Sequence, residues 1–264
     1  KMSKSKGNVI DPIQVIEKYG SDALRFWASG CKLCSDLDYQ EQELIAGKKL
    51  INKLVNASRF VFMNLEDYDG KSKPKKLEML DEQFLRKLNS VVFESTRAFE
   101  SYEYSRAKSV TEQFFWNDFC DNYLEIVKKR VYQGTGDKKL SAQYTLYNSL
   151  KTMIKLFAPM VPFITEEIYQ SYFREIEKEV SIHKSLWPES QEVGSFEEFD
   201  LFVQLLSKIR QEKSSNQKPM NAEIKLKIEK GLKEKLGEML EDLGNVTNAK
   251  EILESEELEV IFSD

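Results

Sequence analysis

The first five residues, Lys1-Met2-Ser3-Lys4-Ser5, alternate cationic and hydroxyl side chains, and Lys6 and Gly7 follow them directly. Lysine supplies a mobile point charge that suits phosphate oxygens, while serine hydroxyls and loop amides add hydrogen bonds. Gly7 allows the backbone to turn. These residue types would suit a cationic loop that binds phosphate groups, but composition alone favours a disordered basic tail.

Two short helices are predicted to position this loop. Asp11 suits the N-cap of the first helix and Pro12 its first position, and Gly20 is expected to end it. Ser21 can cap a second helix over residues 22–29. The loop is thus expected to lead directly into a pair of helices.

Three cysteines raise the question of a metal or redox site. Cys31 and Cys34 form a Cys-Lys-Leu-Cys pair, and Cys120 stands alone. A structural zinc ion needs four ligands, and only Cys120 and His183, far apart in the sequence, could complete the set. A thioredoxin-like redox pair needs a βαβ context, which the pattern lacks. We therefore predict reduced thiols and no metal site.

Long segments with the apolar spacing of amphipathic helices follow, separated by short polar breaks. The predicted helices are Glu41–Glu66, Asp81–Glu100, Ser105–Tyr132, Leu140–Phe157 and a shorter fifth helix that ends near Tyr169. Helices joined by short breaks are typical of an antiparallel bundle. The first of them is predicted to bury one apolar stripe, formed by Leu44, Ile51, Leu54, Val55, Phe62 and Leu65.

After residue 195 the pattern changes. Ile224, Leu226 and Ile228 alternate with charged residues, which predicts a half-buried strand. Helices are predicted over 197–213 and 232–243, and further strands over 248–253 and 258–262. The expected fold class is therefore mainly α, an antiparallel helical bundle followed by a small α/β C-terminal subdomain.

Charge is unevenly distributed along the chain. The formal net charge of −5 argues against a general polyanion-binding protein. Residues 1–60 nevertheless carry 10 basic and 7 acidic side chains, whereas residues 196–264 carry 10 basic and 16 acidic ones. Phosphate groups are therefore expected to meet the N-terminal part, and the acidic end is not expected to follow a nucleic-acid backbone.

Neither a membrane span nor a secretory signal is predicted. The sequence contains no run of about 18 apolar residues, and its N-terminus does not look like a signal peptide. The expected location is the cytoplasm. Because the chain begins with Lys1, directly on a motif, we expect it to be an excised part of a longer protein.

Several runs resemble one known family. Lys1–Ser5, with the continuation Gly7–Pro12 and then Glu17–Phe26, is similar to the signature loop of class I aminoacyl-tRNA synthetases, as found in the valyl, isoleucyl and leucyl enzymes. Lys49–Phe60 resembles the first helix of the valyl anticodon-binding domain, although Val55 stands where that family usually has Trp. Three further runs resemble later parts of that domain, namely Phe115–Glu125, Ala158–Tyr169 and Leu186–Pro188.

The valyl branch fits best because of Lys6 and of Asn56-Ala57-Ser58-Arg59-Phe60, and the isoleucyl branch is the alternative. The resemblance covers about residues 1–190 and implies three segments. These are 1–40, the signature loop and stem-contact region left from a catalytic domain; 41–195, the anticodon-binding bundle; and 196–264, the α/β subdomain.

The resemblance also implies an activity for a full-length parent protein. Such a ligase uses ATP with Mg²⁺ to activate valine and then esterifies tRNA(Val). For the signature loop, the resemblance implies that Lys4 is catalytic. It also implies that ATP is bound by Lys1, Ser3, Lys4 and Ser5.

The 264 residues alone are expected to be inactive, monomeric and without a bound cofactor. The family's other nucleotide signature, His-Ile-Gly-His, needs two histidines, and the chain has one, His183.

The tRNA is expected on the first long helix. If that helix buries its apolar stripe, the other side presents cations for phosphates, amides for base edges and a ring for stacking. The residues concerned are Lys49, Lys53, Asn56 and Phe60, with Asn52 and Arg59 flanking them. An ordinary solvated helix face is the alternative. A helical protein-interaction scaffold would share the bundle pattern but has no reason to carry Lys1–Pro12.

Overall fold

Helices make up most of the structure, a computed structural model that describes Ser5, residues 9–190 and residues 194–262. The chain opens with α1 (Pro12–Tyr19) and α2 (Ser21–Ala28). The helices that follow are α3 (Glu41–Met63), α4 (Met79–Glu100), α5 (Tyr104–Gln113), α6 (Leu124–Ile126), α7 (Lys128–Gln133), α8 (Gly136–Phe157), α9 (Pro162–Ile168) and α10 (Arg174–Glu177). Within the described ranges, none of the helices is both long and apolar enough to cross a membrane.

The last part of the chain mixes helices and strands. Its elements are α11 (Glu197–Ser215), β1 (Ile224–Glu229), α12 (Lys230–Leu236), α13 (Leu240–Thr247), β2 (Ala249–Ser255) and β3 (Glu259–Phe262). Strand β1 lies in the middle of the sheet, parallel to β2 and antiparallel to β3. Ile224, Leu226 and Ile228 are buried, as their alternation predicts. The predicted fold class, an antiparallel helical bundle followed by a small α/β subdomain, is confirmed.

The caps of the first helix follow the sequence signals. Asp11 Oδ1 accepts a hydrogen bond from the amide of Ile13 at 2.9 Å, and Pro12 occupies the first turn. Gly20 ends the helix with φ +90°, a backbone conformation that residues with a Cβ rarely adopt. The predicted pair of helices after the signature loop is therefore confirmed.

The predicted helix over 105–132 changes its winding in the middle. After α5 the chain forms a π-helical segment, Phe114–Tyr123, before α6 and α7. The aromatic side chains of this segment are buried, as predicted, and Tyr123 stacks on Phe84 of α4 with ring centroids 3.9 Å apart. Apolar spacing predicts the helix and its buried side, but it does not reveal the wider hydrogen-bond pattern of a π-helix.

Buried Arg130 of α7 is held by two carboxylates. Its Nη1 and Nη2 atoms each donate to the Asp81 carboxylate at 2.7 Å, and its Nε donates to Asp242 of α13 at 3.0 Å. The hydroxyls of Tyr123 and Ser141 also donate to Asp81. Burial by itself lowers the pKa of Arg130, but the charges of Asp81 and Asp242 outweigh burial and raise it. This network fastens α13 to α4 and α7.

Lys213 near the end of α11 is buried without a carboxylate. Its Nζ donates to the main-chain carbonyls of Met220, Ala222 and Thr247 at 2.8, 2.8 and 2.6 Å. Three carbonyls satisfy the three donors of the ammonium group, although burial still lowers the pKa of Lys213. The side chain therefore holds together the end of α11, the loop before β1 and the end of α13.

The chain divides into two compact units, each built from three separate stretches. One unit comprises Lys1–Met63, Val91–Gln113 and Leu150–Glu189, and the other Asn64–Ser90, Phe114–Ser149 and Ser190–Asp264. This division differs from the predicted segments 1–40, 41–195 and 196–264, because α4 and α8 each contribute residues to both units. The three segments remain a prediction from the family resemblance.

Candidate nucleic-acid interface

Helix α3 packs on α2 through a side that is rich in small residues. Its buried residues are Leu44, Gly47, Leu50, Leu54, Ala57, Ser58 and Val61. A Cβ at Gly47 would lie 3.2 Å from both the Cα and the carbonyl oxygen of Ala23 on α2. Gly47 therefore allows the two helix backbones to approach closely.

The predicted apolar stripe of α3 is only partly correct. Leu44, Leu54 and Leu65 are buried, whereas Ile51, Val55 and Phe62 are half-buried. The prediction weighed large apolar side chains alone, and the buried small residues Gly47, Ala57 and Ser58 shift the centre of the buried side. At 100° per residue the shift is about 60° around the helix axis.

The outer side of α3 carries a row of exposed polar side chains. Steps of three and four residues align Lys49, Asn52, Asn56 and Arg59, and all four are exposed. We call these four residues the α3 row. Between Leu44 and the end of the helix, the sequence contains four basic residues and no acidic one. The α3 row thus combines positive charge with two exposed amide groups on one helix.

Two of the predicted tRNA-binding residues lie beside this row rather than in it. Lys53 and Phe60 are half-buried on the flank of α3, while Asn52 and Arg59 are fully exposed at its centre. The prediction had placed Lys53 and Phe60 on the outer face and Asn52 and Arg59 on its flank, and it is wrong on that point. The reason is the same rotation of the buried side towards Gly47, which turns the opposite face towards Asn52.

The first turn of α3 is tied to α1. The carboxylate of Glu41 accepts hydrogen bonds from Lys18 Nζ and from the hydroxyl of Tyr19. The hydrogen bond from Lys18 is the main reason why the pKa of Glu41 is lowered, and the same bond raises the pKa of Lys18. Because Lys18 and Glu41 are largely exposed, their pairing orients the helices more than it stabilises them.

A shallow cavity of about 480 Å³ opens beside the α3 row. Its walls come from the α1–α2 junction, from α3 and from α9, and they consist of Tyr19, Gly20, Ser21, Asp22, Lys48, Ile51, Asn52, Phe163, Ile164 and Glu167. Asn52 therefore belongs both to the α3 row and to the lining of the cavity. Phe163, which lines the cavity from α9, is 65% exposed.

Phe163 is held in place by a carboxylate from another helix. Asp22 of α2 is buried, and its two oxygens accept the amides of Phe163 and Ile164 at 3.2 and 2.7 Å. These amides lie in the first turn of α9, where no intrahelical partner exists. Asp22 thus fixes the backbone from which the exposed ring projects.

The prediction from sequence did not single out Phe163, although a signal was present. Thr165 and Ile168 form the buried side of α9, three residues apart. Phe163 is out of step with them and must point elsewhere. An aromatic residue out of step with the buried spacing is a candidate for an exposed contact.

Most of the signature loop lies outside the described residues. Lys1, Ser3 and Lys4 belong to the stretches that the structure does not describe, and Ser5 is exposed. The assignment of these four residues to ATP therefore stays a prediction. What the structure adds is the capped helix α1 directly after the loop.

Comparison with known families identifies the chain. The family model of the anticodon-binding domain of tRNA ligase matches residues 81–228. The chain belongs to this family. A second family model, for class I tRNA synthetases (I, L, M and V), matches residues 1–40 of this anticodon-binding chain. The predicted resemblance to class I synthetases is thereby confirmed, and α3 lies between the two matched ranges.

Curated relatives narrow the family further. A valine–tRNA ligase of Rickettsia felis is 39% identical over 96% of this chain, and one of Wolbachia pipientis wMel is 41% identical over 96%. A valine–tRNA ligase of Haloarcula marismortui is 40% identical over 84% of this chain. The anticodon-binding chain spans 30%, 30% and 24% of these relatives. It is thus similar to about a third or less of each ligase.

One solved structure shows the same fold. The crystal structure of the ternary complex of Agrobacterium radiobacter K84 agnB2 LeuRS with tRNA and LeuAMS matches with a TM-score of 0.57 and 19% sequence identity. The match covers 74% of this anticodon-binding chain and 23% of the LeuRS chain. At this identity the likeness concerns the fold alone.

Proposed function

We propose that this chain is the tRNA-binding part of a valine–tRNA ligase and that the α3 row contacts the tRNA. The family match and the valine–tRNA ligase relatives support this role. In the proposed whole protein, valine is activated with ATP and then esterified to tRNA(Val). A cytoplasmic, monomeric ligase divided into segments 1–40, 41–195 and 196–264 is part of the same proposal.

The observation that carries the proposal is the composition of the α3 row. Lys49 and Arg59 offer positive charge to phosphates, and Asn52 and Asn56 offer amide groups that can donate to and accept from base edges. The absence of acidic residues in the sequence from Leu44 to Met63 removes repulsion against a polyanion. An anticodon loop, with unpaired bases between charged phosphates, matches this pattern.

The signature loop has a separate proposed role. Lys4, with Lys1, Ser3 and Ser5, contacts ATP phosphates when the catalytic core is present, and Lys4 stabilises the charge that develops towards pyrophosphate. Within 9–190 and 194–262, no group of three or more His, Cys, Asp or Glu side chains could hold a metal ion.

Salt-dependent tRNA binding tests the α3 row. The chain is titrated with a valine tRNA at several salt concentrations, as wild type and as Lys49→Ala. We expect Lys49→Ala to weaken binding and to lower the slope of log K against log salt by about one, because one phosphate contact is lost. Lys230→Ala, which removes an exposed lysine from the acidic C-terminal segment, is the control and should leave the slope unchanged.

Base reading requires a second comparison. Asn56→Ala or Arg59→Ala should cost ~1–3 kcal/mol with the valine tRNA if the side chain contacts a base, and little with an anticodon-swapped tRNA. Equal losses on both RNAs would reduce these residues to backbone contacts. If Lys49→Ala, Asn56→Ala and Arg59→Ala all bind like wild type, the α3 row is an ordinary solvated surface. A preference for an isoleucine tRNA would favour the isoleucyl alternative.

A further inference from the structure

The sequence holds a pair of thiols that the proposed function does not use. Cys31 and Cys34 are separated by two residues, and both are free thiols in the structure. Cys34 is exposed and Cys31 is half-buried, so both can meet a reagent from solution. Cys120 differs from them, because it lies in the π-helical segment and is only 4% exposed.

The sulfur of Cys31 lies against the turn that carries Cys34. Its Sγ atom donates to the carbonyl oxygens of Lys32 and Ser35, both at 3.3 Å. Ser35 follows Cys34 directly, and its amide donates to the carbonyl of Lys32 at 3.2 Å, which closes the turn. The Cys31 sulfur thus contacts the residue next to Cys34. Because a disulfide spans a short distance, a local change of the turn is enough to join the two sulfurs.

Cys34 has a backbone conformation that favours a different residue type. Its φ of +62° lies in the left-handed region, where glycine is readily accommodated and most other residues are uncommon. Backbone outliers of this kind cluster at functional sites. Since the turn itself does not require a cysteine, this conformation points to a use for the thiol.

A cavity of about 650 Å³ opens beside Cys31. Its walls come from the end of α2 and from the turn between α4 and α5, which belong to the same compact unit. The lining includes two cations, two hydroxyls and a carboxylate, namely Lys32, Arg106, Ser105, Ser109 and Glu103. The half-buried thiol therefore faces a polar space that is large enough for a small ligand.

The charges of this cavity match a small peptide disulfide that carries carboxylates. Lys32 and Arg106 suit its carboxylates, and Glu103 suits an ammonium group. Arg106 has donors to offer, because its ion pairs with Glu94 and Glu103 are long, at 4.0 and 3.9 Å. A ligand held in this way has its own sulfurs near Cys31 at the cavity wall.

We propose that Cys31 and Cys34 form a reversible thiol–disulfide site that reacts with small anionic peptide disulfides bound in this cavity. The Cys31 thiolate attacks one sulfur of the peptide disulfide, forms a mixed disulfide and releases one peptide thiol. The Cys34 thiolate then attacks the Cys31 sulfur, forms the bond between the two cysteines and releases the second peptide thiol. The two cysteines lose two electrons and two protons, and the peptide disulfide gains them.

The site responds to the redox state of its surroundings. Reduced thiols, predicted for a cytoplasmic protein, are its resting state. An excess of peptide disulfide over peptide thiol closes the ring, and an excess of thiol opens it again. Because the ring lies in the connector between α2 and α3, its closure restricts the chain that leads into α3.

Glutathione disulfide is the probe, because both of its halves carry carboxylate and ammonium groups. The reduced chain is incubated with an excess of it, the remaining thiols are blocked, and the oxidised cysteines are then reduced and labelled. Trypsin cuts after Lys32, so separate peptides report on Cys31 and Cys34. We expect both to carry the label and Cys120 to lack it, while the intact mass falls by two hydrogens before reduction.

Substitution of each thiol separates the two steps. Cys34→Ser cannot close the ring and should stop at the mixed disulfide, so its intact mass should rise by one glutathione. Cys31→Ser lacks the thiol at the cavity wall and should take up glutathione more slowly than Cys34→Ser. Equal rates for the two variants would show that the cavity does not direct the reaction, which contradicts the proposal.

A neutral disulfide tests the cavity charges. Arg106→Ala should slow the reaction with glutathione disulfide by about two- to fivefold, the effect of losing one exposed ion pair. The same variant should react with hydroxyethyl disulfide, which carries no charge, at the wild-type rate. Lys230→Ala, which removes an exposed lysine from the C-terminal segment, is the control and should react like wild type with both reagents.

Other results would also overturn the proposal. If both thiols stay reduced under conditions that oxidise dithiothreitol, the pair cannot close. If the wild-type chain keeps one or more glutathiones as its final product, it carries separate surface thiols and no ring. If Arg106→Ala slows both disulfides equally, the cavity takes no part. None of these measurements uses tRNA, so the proposed function is tested separately.

Discussion

Lys4 is the residue whose proposed role is chemical rather than structural. In a valine–tRNA ligase that contains this segment and its catalytic core, we expect Lys4→Ala to slow adenylate formation by about 10²- to 10³-fold. A positive charge placed at a phosphoryl centre lowers the free energy of the transition state by ~3–4 kcal/mol. ATP affinity should change much less, since the charge of Lys4 matters most as pyrophosphate develops.

Single-turnover measurement of adenylate formation checks this expectation, with tRNA binding by the same variant as the control. The variant should bind tRNA like wild type, because the α3 row is untouched. A rate within about twofold of wild type would show that Lys4 is not the catalytic lysine.

At the residue scale, the caps of α1 were predictable, whereas contacts between helices were not. The predicted Ser21 cap of α2 is wrong, because Gly20 is the N-cap and Ser21 is the first residue of the helix. Asp11 and Gly20 mark the ends of α1 through local chemistry that a sequence displays directly. The burial of Gly47 depends on how close α2 approaches α3, which no local pattern encodes. The centre of the candidate face was therefore misplaced, although all six predicted residues lie on α3.

At the element scale, the attachment of α13 depends on a buried acid. Asp242 faces Arg130, with Asp81 on the far side of the guanidinium and Glu241 nearby. Burial is the main cause that raises the pKa of Asp242 to about 6 from 3.8, while Arg130 opposes the shift. Between pH 4 and 6 the folded protein therefore keeps a proton that the unfolded chain has released.

This shift predicts a pH dependence with a definite sign. The contribution of Asp242 to stability falls as the pH rises from about 4 to 6, because the folded state binds the extra proton. Asp242→Asn cannot release a proton there. We expect the unfolding free energy of Asp242→Asn, relative to wild type, to rise between pH 4 and pH 7 by up to ~3 kcal/mol.

Urea unfolding of both proteins at pH 4, 5, 6 and 7 measures the effect. Taking the difference between the two proteins cancels the titration of the other carboxylates. A difference that stays constant with pH would mean that Asp242 is ionised throughout this range in the folded protein.

Periodicity predicted which segments are helical. It did not predict which of them is a π-helix or which helices lie next to each other. The aromatic residues of 114–123 were predicted to be buried, but their π-helical winding was not foreseen. The cavity between α3 and α9 joins residues about 110 positions apart, such as Asn52 and Phe163. Only the folded arrangement brings that amide and that ring to one opening.

At the scale of the whole molecule, fold class followed from two kinds of spacing. Helical periodicity over most of the chain and the alternation of Ile224, Leu226 and Ile228 predicted the bundle and the sheet, and both are present. The division into two units was not predictable. Each unit draws on three stretches of sequence, so no change of composition marks its limits.

The 264 residues by themselves should not catalyse valine-dependent exchange between ATP and pyrophosphate. The other nucleotide signature of the resembled family needs two histidines, and this sequence has only His183. Exchange assays on the purified chain, beside a complete valine–tRNA ligase as positive control, check this. Valine-dependent exchange above background would contradict the proposal that adenylate formation needs a separate catalytic core.

The carboxylate of Asp22 also imposes an order on synthesis. Its partner amide at Ile164 lies 142 residues further along the chain. At ~5–20 residues per second, a ribosome needs about 7–28 s to make that stretch. Until then Asp22 lacks the two amides that donate to it, so its contact with α9 forms only after that stretch has been made.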